Sequence, residues 1–172
     1  MVTQGKIAWL LALLILGCSK DETLMLPKRP YTGDEIKING IYCSIDSSYG
    51  SVHTFFLYRD GTILKGDAFN LSQFEEKLDY MSTQEWNLGI KKYRHRWGHF
   101  TVEGTRFTWE SWVPPSGGGF PTYVYEGTIL NDTTIAMERN RHSRSGKWNP
   151  FVYTYRLHQI RSKPDSLNRF TN

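Results

Sequence analysis

From Lys37 onward the chain alternates apolar and polar residues in short runs: Ile38–Ile45, Val52–Arg59, Thr62–Gly66, Trp97–Glu103, Arg106–Val113, Thr122–Leu130, Thr133–Arg139 and Phe151–Ile160. Tyr, Phe, Trp, Ile, Val and Thr dominate them, the residues that fit a pleated, half-buried surface. Asp60-Gly61, Glu103-Gly104 and Asn131-Asp132 stand between consecutive runs, where tight hairpins need residues that tolerate positive φ. The spacing therefore predicts antiparallel neighbours. In one run Tyr123, Tyr125, Gly127 and Ile129 share a face opposite Val124, Glu126, Thr128 and Leu130; in another Phe107, Trp109, Ser111 and Val113 oppose Arg106, Thr108, Glu110 and Trp112. Aromatics fall on both faces, so alternation alone leaves the inward side open.

The period changes once. Between Asn70 and Leu88, the residues Leu71, Phe74, Leu78 and Tyr80 or Met81 recur at helical spacing behind an Asn70 or Ser72 cap, with Glu75 and Glu76 in the first turns. This predicts one short helix, plugging or flanking a barrel end. Eight hairpin-linked strands and one helix define a mainly β fold, an antiparallel up-and-down barrel, because closure removes exposed edges. A two-sheet sandwich is the alternative.

Ahead of this domain, Lys6 precedes an apolar run from Ile7 to Leu16 that ends at Gly17-Cys18. The run is shorter than the about 20 residues a spanning helix needs, and reads as an export signal. The following stretch carries Lys20, Asp21, Glu22, Pro27, Lys28, Arg29, Pro30 and Gly33 without periodicity, which predicts a flexible tether. The organisation read from the chain is thus a signal peptide over 1–17, a tether over 18–36, the barrel over 37–163 and a tail over 164–172.

Ile15-Leu16-Gly17-Cys18 resembles the lipobox of bacterial lipoproteins, which implies cleavage before Cys18 and acylation of its sulfur and new amine. Three acyl chains would hold the product on a membrane without a spanning helix. Ser19-Lys20-Asp21-Glu22 is similar to the Lys-plus-paired-acid surface-export signal of Bacteroidota-type lipoproteins and implies outer-membrane residence, facing outward where that signal operates. Within the domain, Asn39-Gly40-Ile41-Tyr42, the stretch from Phe56 through Asp60-Gly61 to Leu64, Trp97-Gly98-His99-Phe100-Thr101-Val102-Glu103-Gly104 and Ile129-Leu130-Asn131-Asp132-Thr133-Thr134 together resemble the small lipocalin-like lipoproteins of Bacteroidota. That resemblance implies an up-and-down barrel around an apolar ligand cavity, although Tyr42 stands where lipocalins carry Trp.

Composition and charge narrow the function classes. With 21 Lys and Arg against 17 Asp and Glu, the chain is mildly basic and lacks the footprint of a nucleic-acid binder. Once Cys18 is acylated, Cys43 has no intramolecular partner and reads as a small buried hydrophobe. His95 and His99 stand four apart but in a β context that does not converge on a metal. No nucleophile elbow is present, and paired carboxylates, for example Glu103 with Glu110 across a hairpin, would permit glycoside hydrolysis at a suitable separation. The expectation is a non-catalytic binder with no cofactor and no metal, taking a small apolar or amphipathic ligand on Phe55, Trp109, Tyr125 and Tyr153. The alternative is a contact surface for an anionic glycan or partner protein, built from Arg94, Arg96, Arg141, Arg144 and Trp148 within the basic clusters at 91–96 and 139–147. The loop Trp112–Pro121, with Pro114-Pro115 and Gly117-Gly118-Gly119, reads as a lid or contact loop with aromatics at its tip.

Overall fold

A computed structural model describes residues 21–46, 50–115 and 118–171; the stretch read as an export signal and Cys18 lie outside the described residues. Nine strands form, β1 (Ile41–Asp46), β2 (Ser51–Leu57), β3 (Thr62–Lys65), β4 (Phe69–Asn70), β5 (Trp97–Glu103), β6 (Arg106–Trp112), β7 (Thr122–Asn131), β8 (Thr134–His142) and β9 (Asn149–His158). All pairings are antiparallel between chain neighbours, apart from the two-residue β4 on the edge of β2, and β1 pairs with both β2 and β9. That double pairing closes an eight-stranded, up-and-down, lipocalin-like barrel. At the β2–β3 turn Gly61 has φ +82°, and the Asp60 carboxylate accepts the Thr62 amide at 3.0 Å.

The inward faces carry Tyr42, Phe55, Leu57, Ile63, Phe100, Phe107, Trp109, Ile129, Ile135, Met137 and Tyr155, which pack into one core. A second core lies outside the wall. Ile41, Cys43, Val52, Phe56, Leu64, Trp97 and Trp112 point outward and are covered by Met81, Trp86 and Ile90 of the helical segment. Both faces of this part of the wall are therefore apolar for a reason: both are buried. Complete burial of each such large side chain is worth about 1.5–3 kcal/mol.

The helical stretch predicted over Asn70–Leu88 is two helices, α1 (Phe74–Met81) and α2 (Gln84–Ile90), entered through a 3₁₀ turn at Leu71–Gln73. Asn70 caps that turn as expected, and the break at Ser82-Thr83 follows from a new cap: Thr83 Oγ1 accepts the Trp86 amide at 3.2 Å. Thr83→Ala should cost about 1 kcal/mol, visible as a lower urea midpoint with unchanged slope.

The stretch read as a flexible tether is, from Asp21 on, a strap bound along the barrel. Glu22 accepts the Trp112 indole N–H at 2.7 Å on its carbonyl, Leu26 O lies 2.8 Å from His99 Nδ1, and Lys28 pairs with Asp60 at 3.1 Å. Tyr31 and Ile36 then enter the inner core and floor the barrel at its β2–β3 turn end. The strap's passage over that turn is close, since a Cβ on Gly61 would stand 2.1 Å from Arg29 O. The tail is bound too: Lys163 donates to Ile38 O and Leu57 O at 2.5 Å each, Asp165 pairs with Lys91 at 2.6 Å, and Phe170 joins the outer core.

Candidate functional site

With its floor closed by the strap, the barrel opens at the other end, where the long β3–β5, β6–β7 and β8–β9 connections lie. A cavity of about 320 Å³ enters there, lined from below by Phe55, Trp109 and Tyr155, from the sides by His53, Tyr125 and Phe151, and at the rim by Lys65, residues 66–68, His95, Arg96 and Pro114. The aromatics hold one another in place. Trp109 stacks on Tyr125 with ring centres 4.6 Å apart, Phe55 meets Tyr155 at 4.7 Å and Trp109 at 5.3 Å, and Tyr125 meets Phe151 edge-on at 4.9 Å. Such a volume is at the small end of ligand pockets. A shallower groove of about 510 Å³ lies outside the barrel along Tyr80, Trp86, Leu88 and Tyr93.

Three of the four cavity residues expected from sequence, Phe55, Trp109 and Tyr125, line this space. Tyr153 does not: it stands behind Phe151, 4.6 Å between rings, and edge-on to His53 at 5.3 Å. Sequence reasoning passed over Lys65, His53, Phe151 and Tyr155. The signal was present, because Lys65 follows the inward Ile63 by two residues, and Phe151 and Tyr155 flank Tyr153 on the same face.

Lys65 gives the cavity its chemistry. Its Nζ donates to Trp112 O at 2.7 Å, and burial, reinforced by the nearby Arg96 guanidinium, brings the ammonium down to about 7. Arg96 is held by Asp67 at 3.0 Å, and Asp67 also accepts the Trp86 indole N–H at 2.7 Å, so the one acid in the lining is already engaged. His95 is pushed toward its neutral form by burial first and then by Arg96 and Lys65. Among the described residues, the indole N–H of Trp109 and the hydroxyl of Ser111 are buried and find no hydrogen-bond partner. An aromatic cavity with an uncompensated ammonium at its mouth suits a compact apolar body ending in an anion.

No protein-family model, curated protein or solved structure matches this chain. Function must be read from the site itself.

The basic residues of the alternative surface are largely engaged within the chain. Arg94 pairs with Asp21 and lies over the rings of Trp112, Phe120 and Phe170 at 5.5, 5.8 and 5.5 Å. Arg141 donates to Ser143 O and Ser145 O and, with Arg139, brackets Trp148 at 5.0 and 4.5 Å. Arg139 is paired with Glu126 at 2.7 Å, and Arg144 lies 3.4 Å from Glu22. These guanidiniums fasten loops and both ends of the chain to the barrel, which leaves them little free charge for a partner.

Glu103 and Glu110 do not face each other. In the β5–β6 hairpin Glu103 pairs with Arg106 beside the turn and Glu110 with His99, four residues further along. Glu110 is fully buried under the strap, where its carboxylate accepts the Met25 and Leu26 amides at 2.6 and 2.5 Å and the Ser143 hydroxyl. His95 and His99 separate likewise, His95 to the cavity rim and His99 to the strap. Among the described residues no group of three His, Cys, Asp or Glu converges on a metal position. Cys43 is buried in the outer core, and burial pushes its thiol up to about 12, far from a reactive thiolate. The β6–β7 loop keeps its aromatics down: Trp112 is buried, and Phe120 stacks against His95 with ring centres 6.4 Å apart.

Proposed function

We propose that this chain is a lipid-anchored, non-catalytic binding module of the bacterial outer membrane that holds a small amphipathic acid in its barrel. The observation that carries the ligand reading is the cavity closed at one end and lined by Phe55, Trp109, Tyr125, Phe151 and Tyr155, with the Lys65 ammonium at its mouth. Apolar walls supply most of the affinity by area removed from water, and a cation in a low-dielectric rim selects the head group. The anchor reading draws on the lipobox-like Ile15-Leu16-Gly17-Cys18 and the resemblance to Bacteroidota lipoproteins.

Trp109 reports on occupancy. Titration with medium-chain and aromatic carboxylates should quench its fluorescence with micromolar affinity, whereas alcohols of equal size bind at least about tenfold more weakly for want of the charge-assisted contact. Trp109→Phe removes the signal, and native mass spectrometry of the purified protein shows the acid as added mass. A bare mass, together with emission indifferent to every acid, defeats the proposal.

A further inference from the structure

Asp21 stands three residues after Cys18, and the structure fixes where that point of the chain lies. Its carboxylate pairs with Arg94 and accepts the Phe120 amide at 3.1 Å. Glu22 donates its amide to Phe120 O at 3.0 Å, while its carboxylate accepts Thr122 N at 2.9 Å and Thr122 Oγ1 at 3.1 Å and lies 3.3 Å from His142 Nε2. Phe120, Thr122, His142 and Arg94 all belong to the loops and strand ends around the cavity mouth. From there the strap runs away from the mouth, over Glu110 and past Asp60 to the floor at Tyr31.

Chain geometry turns this into an orientation. Three residues reach at most about 11 Å, so Cys18 must remain within that distance of the mouth end. The floor end is a strand length further away, about 23 Å for a seven-residue strand. A flexible tether would leave the barrel free to tumble above a bilayer; a strap bound from Asp21 onward does not.

We infer that the barrel stands mouth-down on the lipid surface, with the rim of the cavity as its membrane-contact face, so that ligand passes between cavity and bilayer without crossing bulk water. This rests on the anchoring at Cys18 proposed above. Lys92 and Lys147 are exposed at the mouth end, as is the ring of Tyr93, a set suited to lipid phosphates and the interfacial layer.

The test uses the full chain purified from membranes with its own modification, reconstituted in phosphatidylethanolamine–phosphatidylglycerol vesicles that carry a head-group quencher. Lys147→Cys places a fluorophore at the mouth and Thr105→Cys places one at the floor end; both are exposed, and Cys43 is too buried to compete. The label at 147 should lose most of its emission while the one at 105 keeps its own. Equal or reversed quenching overturns the orientation and, with acyl mass present on Cys18, leaves the anchor standing. An intact mass without acyl chains overturns both.

Discussion

Glu110→Ala should destabilise the fold by about 3 kcal/mol and detach the strap, because it removes the acceptor of two strap amides and of Ser143 from a buried position. Hydrogen bonds to a charged acceptor are worth about 1.5–3 kcal/mol each, but the released strap can rehydrate its amides, which keeps the total below their sum. Glu110→Gln retains one acceptor oxygen and shape and should lose about half as much. Urea unfolding gives the magnitude. Hydrogen exchange gives the location: the Met25 and Leu26 amides, protected in the parent, should exchange in the variant as fast as an open loop while strand amides of β6 change little. A loss under about 1 kcal/mol with both amides still protected would show that the strap is held by its other contacts, such as Trp112 on Glu22.

The strap also explains what could and could not be read from the chain. Alternation and turn residues located the strands within a few positions, and the Asn70 cap marked the start of the helical segment, because these are local signals. The inward face stayed open where aromatics alternate with aromatics, as in Trp109 and Trp112 of β6. The structure resolves this by burying both: Trp109 enters the inner core and Trp112 the outer one. Pro27, Pro30 and the charges around them read as a tether because an extended segment has no periodicity of its own. Its partners, Glu110, Trp112 and His99, lie more than seventy positions away, and such separations leave no trace in a window of sequence. The same screening hid Glu110. On alternation it shares a face with Arg106, Thr108 and Trp112, and the strap together with Ser143 buries it. For the cavity, Phe55, Trp109 and Tyr125 fall in the lining because bulky inward residues are common to any barrel, whereas Tyr153 falls outside it. Lys65 was overlooked because a lysine at the end of a short strand ordinarily points to water.

Ligand affinity should fall about a hundredfold between pH 6 and pH 9, and Lys65→Met should abolish that dependence along with most of the affinity for acids. Burial and Arg96 leave the Lys65 ammonium at about 7 in the empty barrel, so at pH 6 the cation is in place, whereas above pH 7 each unit removes up to a factor of about ten as protonation must accompany binding. Binding at pH 8 therefore takes up a proton, measurable as a buffer-dependent heat in calorimetry. Stability moves the opposite way. The folded-state value lies below the unfolded lysine value of 10.5, so between pH 7 and 10.5 the unfolded chain holds the extra proton, and this group's contribution makes the fold more stable as pH rises. The opposed slopes separate a ligand-directed lysine from a purely structural one. Lys65→Met should flatten both, and a variant that kept the pH dependence of acid binding would assign the head group to His95 instead, the imidazole at the rim.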